Sequence, residues 1–229
     1  MTEYIILCQP DDRKGCSICC GLFNIRDLSR ENLVAYLQGG RDRVVALPED
    51  DFLEAEIPIH TVADSLVRDR TSHVCPYQGF LMSGKPGCLL HPALTGEDRR
   101  NVSLFGIKIC DEFLCPAHSL LTEDDKRLLI DMVDDWYLYS IAVLDPESFL
   151  WIRDMVSGMV DPVREKVLFS EMIVFSLNLH ARFMNDYIGS VFFYSLPEYD
   201  LYKKEFSISY NKEHAKEVAR TVYEKFRRK

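Results

Sequence analysis

The chain contains no cysteine beyond Cys115, so its last 114 residues are free of thiols. Long apolar runs are missing as well. Stretches such as Ile5–Cys8 and Val191–Tyr194 fall far short of the roughly 20 residues needed to span a bilayer, so no membrane segment is expected. There is no basic surplus: a formal net charge of −9 argues against a nucleic-acid-binding domain. The opening Met1-Thr2-Glu3 has no basic region and only a few apolar residues before Gln9-Pro10. No secretory leader is expected, and the expected location is cytoplasmic. No HExxH, Glu-x-x-His pair, serine elbow or dinucleotide fingerprint occurs. Ser83-Gly84-Lys85 lacks the upstream glycine spacing of a phosphate loop and reads as a turn.

The composition present is that of a globular chain. With 47% hydrophobic and 28% charged residues, a collagenous, coiled-coil or disordered protein is excluded, because enough apolar surface is available to offset the entropy of ordering the chain. The 229 residues leave room for one large or two small domains.

Eight cysteines stand out, at positions 8, 16, 19, 20, 75, 88, 110 and 115. Thiol content divides the chain into residues 1–120, which hold every cysteine, and residues 121–229, which hold none but carry both tryptophans. Seven of the eight follow a pattern: C-x2-C-C, 54 residues, then C-x12-C-x21-C-x4-C. Isolated buried thiols do not cluster in this way, and disulfides need an oxidising compartment. Metal ligation accounts for both clustering and spacing, since two thiolates flanking a tight turn can reach one ion. The expected ligands are Cys16, Cys19, Cys20, Cys75, Cys88, Cys110 and Cys115. Cys8 closes the apolar run Tyr4-Ile5-Ile6-Leu7-Cys8 and reads as a core thiol on a short strand.

His91 and His118 stand in C-x-x-H spacing after Cys88 and Cys115, which zinc sites also use, although a polar turn residue beside a proline explains each at least as well. His73, two residues before Cys75, has a weaker claim, and His60, His180 and His214 read as surface or helix positions. One tetrahedral zinc or one four-iron cluster needs four ligands, so seven thiols imply spare cysteines or two centres. The vicinal pair Cys19-Cys20 favours two centres or a larger cluster, because adjacent side chains point in different directions.

These motifs resemble the YkgJ-like family of cysteine-cluster proteins, described as zinc- or iron-chelating domains. The resemblance runs in order over about the first 120 residues. It rests on Cys16-x-x-Cys19-Cys20, Cys75-Pro76-Tyr77, Gly87-Cys88-Leu89-Leu90-His91-Pro92 and Cys110-Asp111-Glu112-Phe113-Leu114-Cys115. Departures are His91 where the commoner form has Tyr, the missing Arg-Pro after it, Asp111 and Leu114 in the final pair, and the insertion Ala93 to Lys108. The resemblance implies a metal-binding module and no defined reaction. A related cysteine cluster in flagellin lysine-N-methylases implies an alternative, an iron–sulfur-dependent redox or methyl-transfer enzyme; a zinc-stapled interaction scaffold is the other. An iron–sulfur cluster is slightly favoured over zinc, because seven thiolates exceed what one structural zinc uses.

The remaining residues read as helices. Ser29 caps a short helix ending at Gly39-Gly40, and His60 to Asp69 carries a helical stripe. The excursion between the cysteine groups is expected to return the chain so that they meet. Thr122 opens a capping box ahead of the stripe Leu129, Met132, Val133, Trp136 and Tyr137. Asp145-Pro146 and Asp161-Pro162 each place a cap before a first-turn proline, and Asn211 caps a last helix with the stripe Ala215, Val218, Ala219, Val222, Tyr223 and Phe226. Tyr187 to Tyr210 is expected to be irregular or short strand. The expected architecture is mainly α: a small irregular cysteine-rich metal-binding module in residues 1–120, packed against a helical region in 121–229. The expected partner is a metal ion or cluster, with neither nucleic acid nor membrane.

Overall fold

The protein is described here from a computed structural model covering residues 4–45, 66–68, 74–103, 106–191, 201 and 204–227. Its fold is mainly α. Most of the expected stripe from His60 to Asp69, His73, and part of the aromatic interval before Tyr210 lie outside the described residues; at 66–68 the chain is not helical, and Val67 bridges antiparallel to Ile25.

Elements in the first half are short. Helix α1 (Arg30–Gln38) starts where Ser29 accepts the Asn32 amide, and α2 (Gly40–Val45) follows at once. Strands β1 (Gln78–Phe80) and β2 (Pro86–Cys88) pair antiparallel with Gln78 opposite Cys88, closed by a turn whose Gly84 takes a positive φ. Then come α3 (Pro92–Thr95), a 3-10 turn at Arg100–Val102, α4 (Gly106–Glu112) and α5 (Ala117–Leu120). The excursion returns as expected: the Cys75 amide donates to the Cys20 carbonyl at 2.7 Å.

The second half holds the longer helices: α6 (Glu123–Met132), α7 (Trp136–Leu144), α8 (Pro146–Ser157), α9 (Lys166–Asp186) and α10 (Lys212–Phe226). The Thr122–Asp125 capping box forms in full. The stripe behind it does not run as one helix. Asp135 accepts the Leu138 amide and begins α7 afresh, so Met132 and Trp136 sit on separate helices. Asp161 caps only a turn, accepting the Val163 and Arg164 amides, and α9 starts later, at Lys166. Asn211 caps α10, whose buried face is His214, Val218, Val222 and Phe226, whereas Tyr223 is exposed.

Helix α9 is the packing hub, lying against α7, α8 and α10. By length and composition α9 could cross a membrane, a property it shares with core helices of soluble proteins; here Phe169, Met172, Ile173, Leu177 and Met184 face the interior. Each such side chain contributes about 1.5–3 kcal/mol on burial. The apolar core crosses position 120. It contains Leu7, Ile18, Leu22 and Phe23 together with Leu129, Tyr139, Phe149 and Val222. The cysteine-bearing segments are therefore built onto the helical core.

Candidate metal centre

The N-terminal run Tyr4–Cys8 forms no strand, contrary to the expectation from its apolar pattern. Side chains of His118, Glu123 and Tyr139 take up its backbone groups instead. The Ile5 amide donates to Glu123, the Leu7 amide donates to His118 Nε2 at 3.0 Å, and the Leu7 carbonyl accepts the Tyr139 hydroxyl at 2.8 Å. This docking carries Cys8 to Cys16. The loop between them closes through the Cys16 amide on the Cys8 carbonyl at 3.0 Å, with Asp11 accepting the Arg13 and Lys14 amides. Lys14, wholly buried, bridges Asp11 and Asp134 and so fastens the loop to the turn between α6 and α7.

All eight thiols are free, and they fall into two neighbourhoods. Cys16 and Cys115 are buried in the main core, with Cys19 packed against it. Cys75 lies in a separate small cluster with Tyr77, Leu90 and Val102, against which Cys20 and Cys88 pack. The charges that each sulfur senses follow the same division. Cys16 hydrogen-bonds Cys8 and is raised by it, then by burial and by the charges of Cys115 and Cys19. Cys8 is lowered, first by that bond and further by His118, against the opposing effect of burial. Burial raises Cys20 well above the ordinary thiol range, followed by the charges of Cys75 and Cys88. Burial likewise pushes Cys75 up to about 12, with Cys88 and Cys110 adding to it. Cys16, Cys19 and Cys115 thus lie at the main core, with Cys8 bonded to Cys16, and Cys20, Cys75 and Cys88 at the small cluster, while Cys110 is exposed on α4. Cys19 and Cys20 form the border, and Cys19 also senses Cys110.

Three of the sulfurs share a local turn. Backbone amides two residues on donate to them: Tyr77 to Cys75, Leu90 to Cys88 and Ala117 to Cys115, the last joined by His118. Each bond favours the thiolate and opposes the burial that raises these groups. The prolines at 76 and 116 fit the same turn, since neither position has an amide to misdirect.

No family model, curated protein or solved structure matches the chain.

The histidines take other roles. His91 caps α3, its Nδ1 accepting the Ala93 amide at 3.1 Å. His118 accepts the Leu7 amide on Nε2 and lies 3.5 Å from the Cys115 sulfur through Nδ1, so both ring nitrogens are engaged. Among the described residues, no three Cys, His, Asp or Glu side chains stand in a metal-binding arrangement. The sulfurs share neighbourhoods; they do not form a coordination shell.

A second buried polar cluster went unread in the sequence. His180 Nε2 meets Asp145 Oδ2 at 2.9 Å, and His180 Nδ1 meets His214 Nε2 at 3.3 Å. Asp145 also caps α8 through the Ser148 amide and accepts the Ser148 and Ser207 hydroxyls. Its first-turn signature at Asp145-Pro146 was legible; its histidine partners, on α9 and α10, were not.

Proposed function

We propose that this chain is a metal-binding protein of the cysteine-cluster type, with thiolate centres holding zinc or an iron–sulfur cluster. The inner centre would use Cys8, Cys16, Cys19 and Cys115, and the outer one Cys20, Cys75, Cys88 and Cys110. The observation that supports this reading is that the free thiols collect at two places, Cys16, Cys19 and Cys115 at the main core, with Cys8 bonded to Cys16, and Cys20, Cys75 and Cys88 at the small cluster. Four is the ligand number of a structural zinc and of a four-iron cluster. The donor set is all sulfur, which suits soft cations, and the amides aimed at Cys75, Cys88 and Cys115 favour the thiolate form that ligation requires. The motif order shared with YkgJ-like proteins supports the same reading.

The division into fours alters two expectations. Cys8 moves from strand thiol to proposed ligand. The surplus of thiolates that tilted the choice toward an iron–sulfur cluster also disappears, because eight sulfurs in two fours leave none over for zinc. Drawing each group onto an ion requires local movement of the sulfurs, so binding would be coupled to ordering of residues 8–20 and 75–115.

Anaerobic purification followed by metal analysis and a visible spectrum tests the proposal. Bound zinc in a colourless protein, or iron with sulfide in a brown one, supports it. A chain that holds no metal and has every thiol freely titratable overturns it.

A further inference from the structure

The buried polar cluster of the second half involves no cysteine and joins three elements. Asp145 at the corner between α7 and α8, His180 on α9 and His214 in the first turn of α10 form one chain, with contacts of 2.9 and 3.3 Å. Asp145 and His180 are wholly buried, and His214 nearly so. A carboxylate can only accept, so His180 Nε2 carries a hydrogen. The chain houses one ring proton without conflict: His180, charged against Asp145, donates from both nitrogens, and His214 Nε2 accepts. A proton on His214 as well sets two N–H groups and two positive charges face to face across the 3.3 Å contact. That second charge also lies at the positive end of the α10 dipole. Phe183 stacks on the His214 ring, centroids 3.8 Å apart, and offers no acceptor. The segment ahead of α10 is held separately, through the Ile208 amide on the Ser148 hydroxyl and the Ser207 hydroxyl on Asp145. Helix α10 itself rests on α9, with Val218 and Val222 buried and Phe226 against Phe175; among the described residues α9 is the one element that packs broadly on it.

We propose that α10 is an acid-responsive flap: a proton taken up by His214 opens the helix off α9 about a hinge at residues 209–211, while α6 to α9 stay packed. The charged and titratable groups that act on His214 are His180 from α9 and Asp145 from the α7–α8 corner. Ser148 and Ser207 bring only hydroxyls to the cluster, and on α10 itself Glu213 and Lys216 pair with each other at the exposed surface. His180 keeps its bond to Asp145 when the helix lifts, so the corner that caps α8 survives the opening. Burial of Val218, Val222 and Phe226 keeps the closed form dominant at neutral pH, and acid makes the opening commoner. With α10 open, His214 takes its proton near 6.5, against about 4 when closed. Opening therefore gains one proton between these values, and its equilibrium constant rises roughly tenfold for each pH unit of acidification. The open form uncovers Phe175 and Phe183 on α9.

The test is hydrogen exchange on the full chain, followed by mass spectrometry between neutral pH and the lower end of that window and corrected for the intrinsic pH dependence of exchange. Peptides from α10 should lose protection roughly tenfold per pH unit, whereas peptides from α7 and α8 keep theirs. In His214→Gln, whose amide can donate to His180 without titrating, the slope in α10 should vanish. Val222→Ala weakens the seat of α10 without touching the rings, so it should raise opening by one factor at every pH and keep the slope. Equal loss of protection in α10, α7 and α8, a flat profile in α10, an unchanged slope in His214→Gln, or an altered one in Val222→Ala overturns the inference.

Discussion

Cys19 and Cys20 are joined by a single peptide bond, yet their sulfurs face different neighbours. Cys19 packs on the main core and senses Cys115 and Cys8, whereas Cys20 packs on the small cluster around Cys75 and senses Cys75 and Cys88. Consecutive side chains diverge by geometry, so one short segment can serve two sites without bending back on itself. The carbonyl of Cys20 reinforces the arrangement by accepting the Cys75 amide and the Gln78 side chain.

Tyr139→Phe should loosen the inner group selectively. The hydroxyl of this buried tyrosine holds the Leu7 carbonyl at 2.8 Å and so positions the run that ends at Cys8. Its loss leaves that carbonyl without the bond, at a cost of about 1–3 kcal/mol. A melting temperature lowered by several degrees is expected.

Gly40→Ala separates helix propensity from packing. Alanine normally stabilises a helix by up to about 1 kcal/mol over glycine. A Cβ at Gly40, however, would lie 2.3 Å from the Gln78 carbonyl oxygen and 2.9 Å from the Gly79 Cα, both backbone atoms. The clash should dominate and destabilise the protein by about 1–3 kcal/mol. Because β1 lies between Cys75 and its pairing partner β2, metal retention at the outer group should fall with it. Unchanged or raised stability in a denaturant titration would contradict this packing.

The buried histidine pair predicts an acid-sensitive stability. Burial lowers His214 from 6.5 to about 4, and His180 beside it adds to the shift against the opposing charge of Asp145. Phe183, stacked on the ring, provides no charge. In the unfolded chain His214 takes up its proton near pH 6.5, but in the folded protein only near 4. The unfolded state therefore binds more protons between these values, and stability falls as pH drops through that window, by roughly 2–3 kcal/mol in all. Asp145, held below the ordinary carboxylate range by its bonds to His180 and Ser148 despite burial, adds a further loss only at lower pH. Urea midpoints measured between pH 7 and 4 should show the slope, and His214→Gln should flatten it.

Much of this was legible in the sequence because it is local. Ser29, Thr122, Asp145 and Asn211 announced helix starts through capping chemistry confined to a few residues. Long-range relations left no such mark. Cys8 lies in an apolar run with strand character, yet Glu123, His118 and Tyr139, more than a hundred residues away, take up its backbone groups. The break between α6 and α7 was hidden because its apolar stripe keeps helical spacing across Asp135, whose cap starts a new helix. His180 and His214 sit among apolar neighbours on different helices, and no spacing rule links them.

The most direct measurement is the metal content of the intact chain compared with Cys19→Ser and Cys20→Ser. The account predicts that the intact chain binds two equivalents of zinc, or two clusters, and that each variant loses one centre. Loss of all metal in both variants, or a single equivalent in the intact chain, would contradict the assignment of eight thiols to two groups of four.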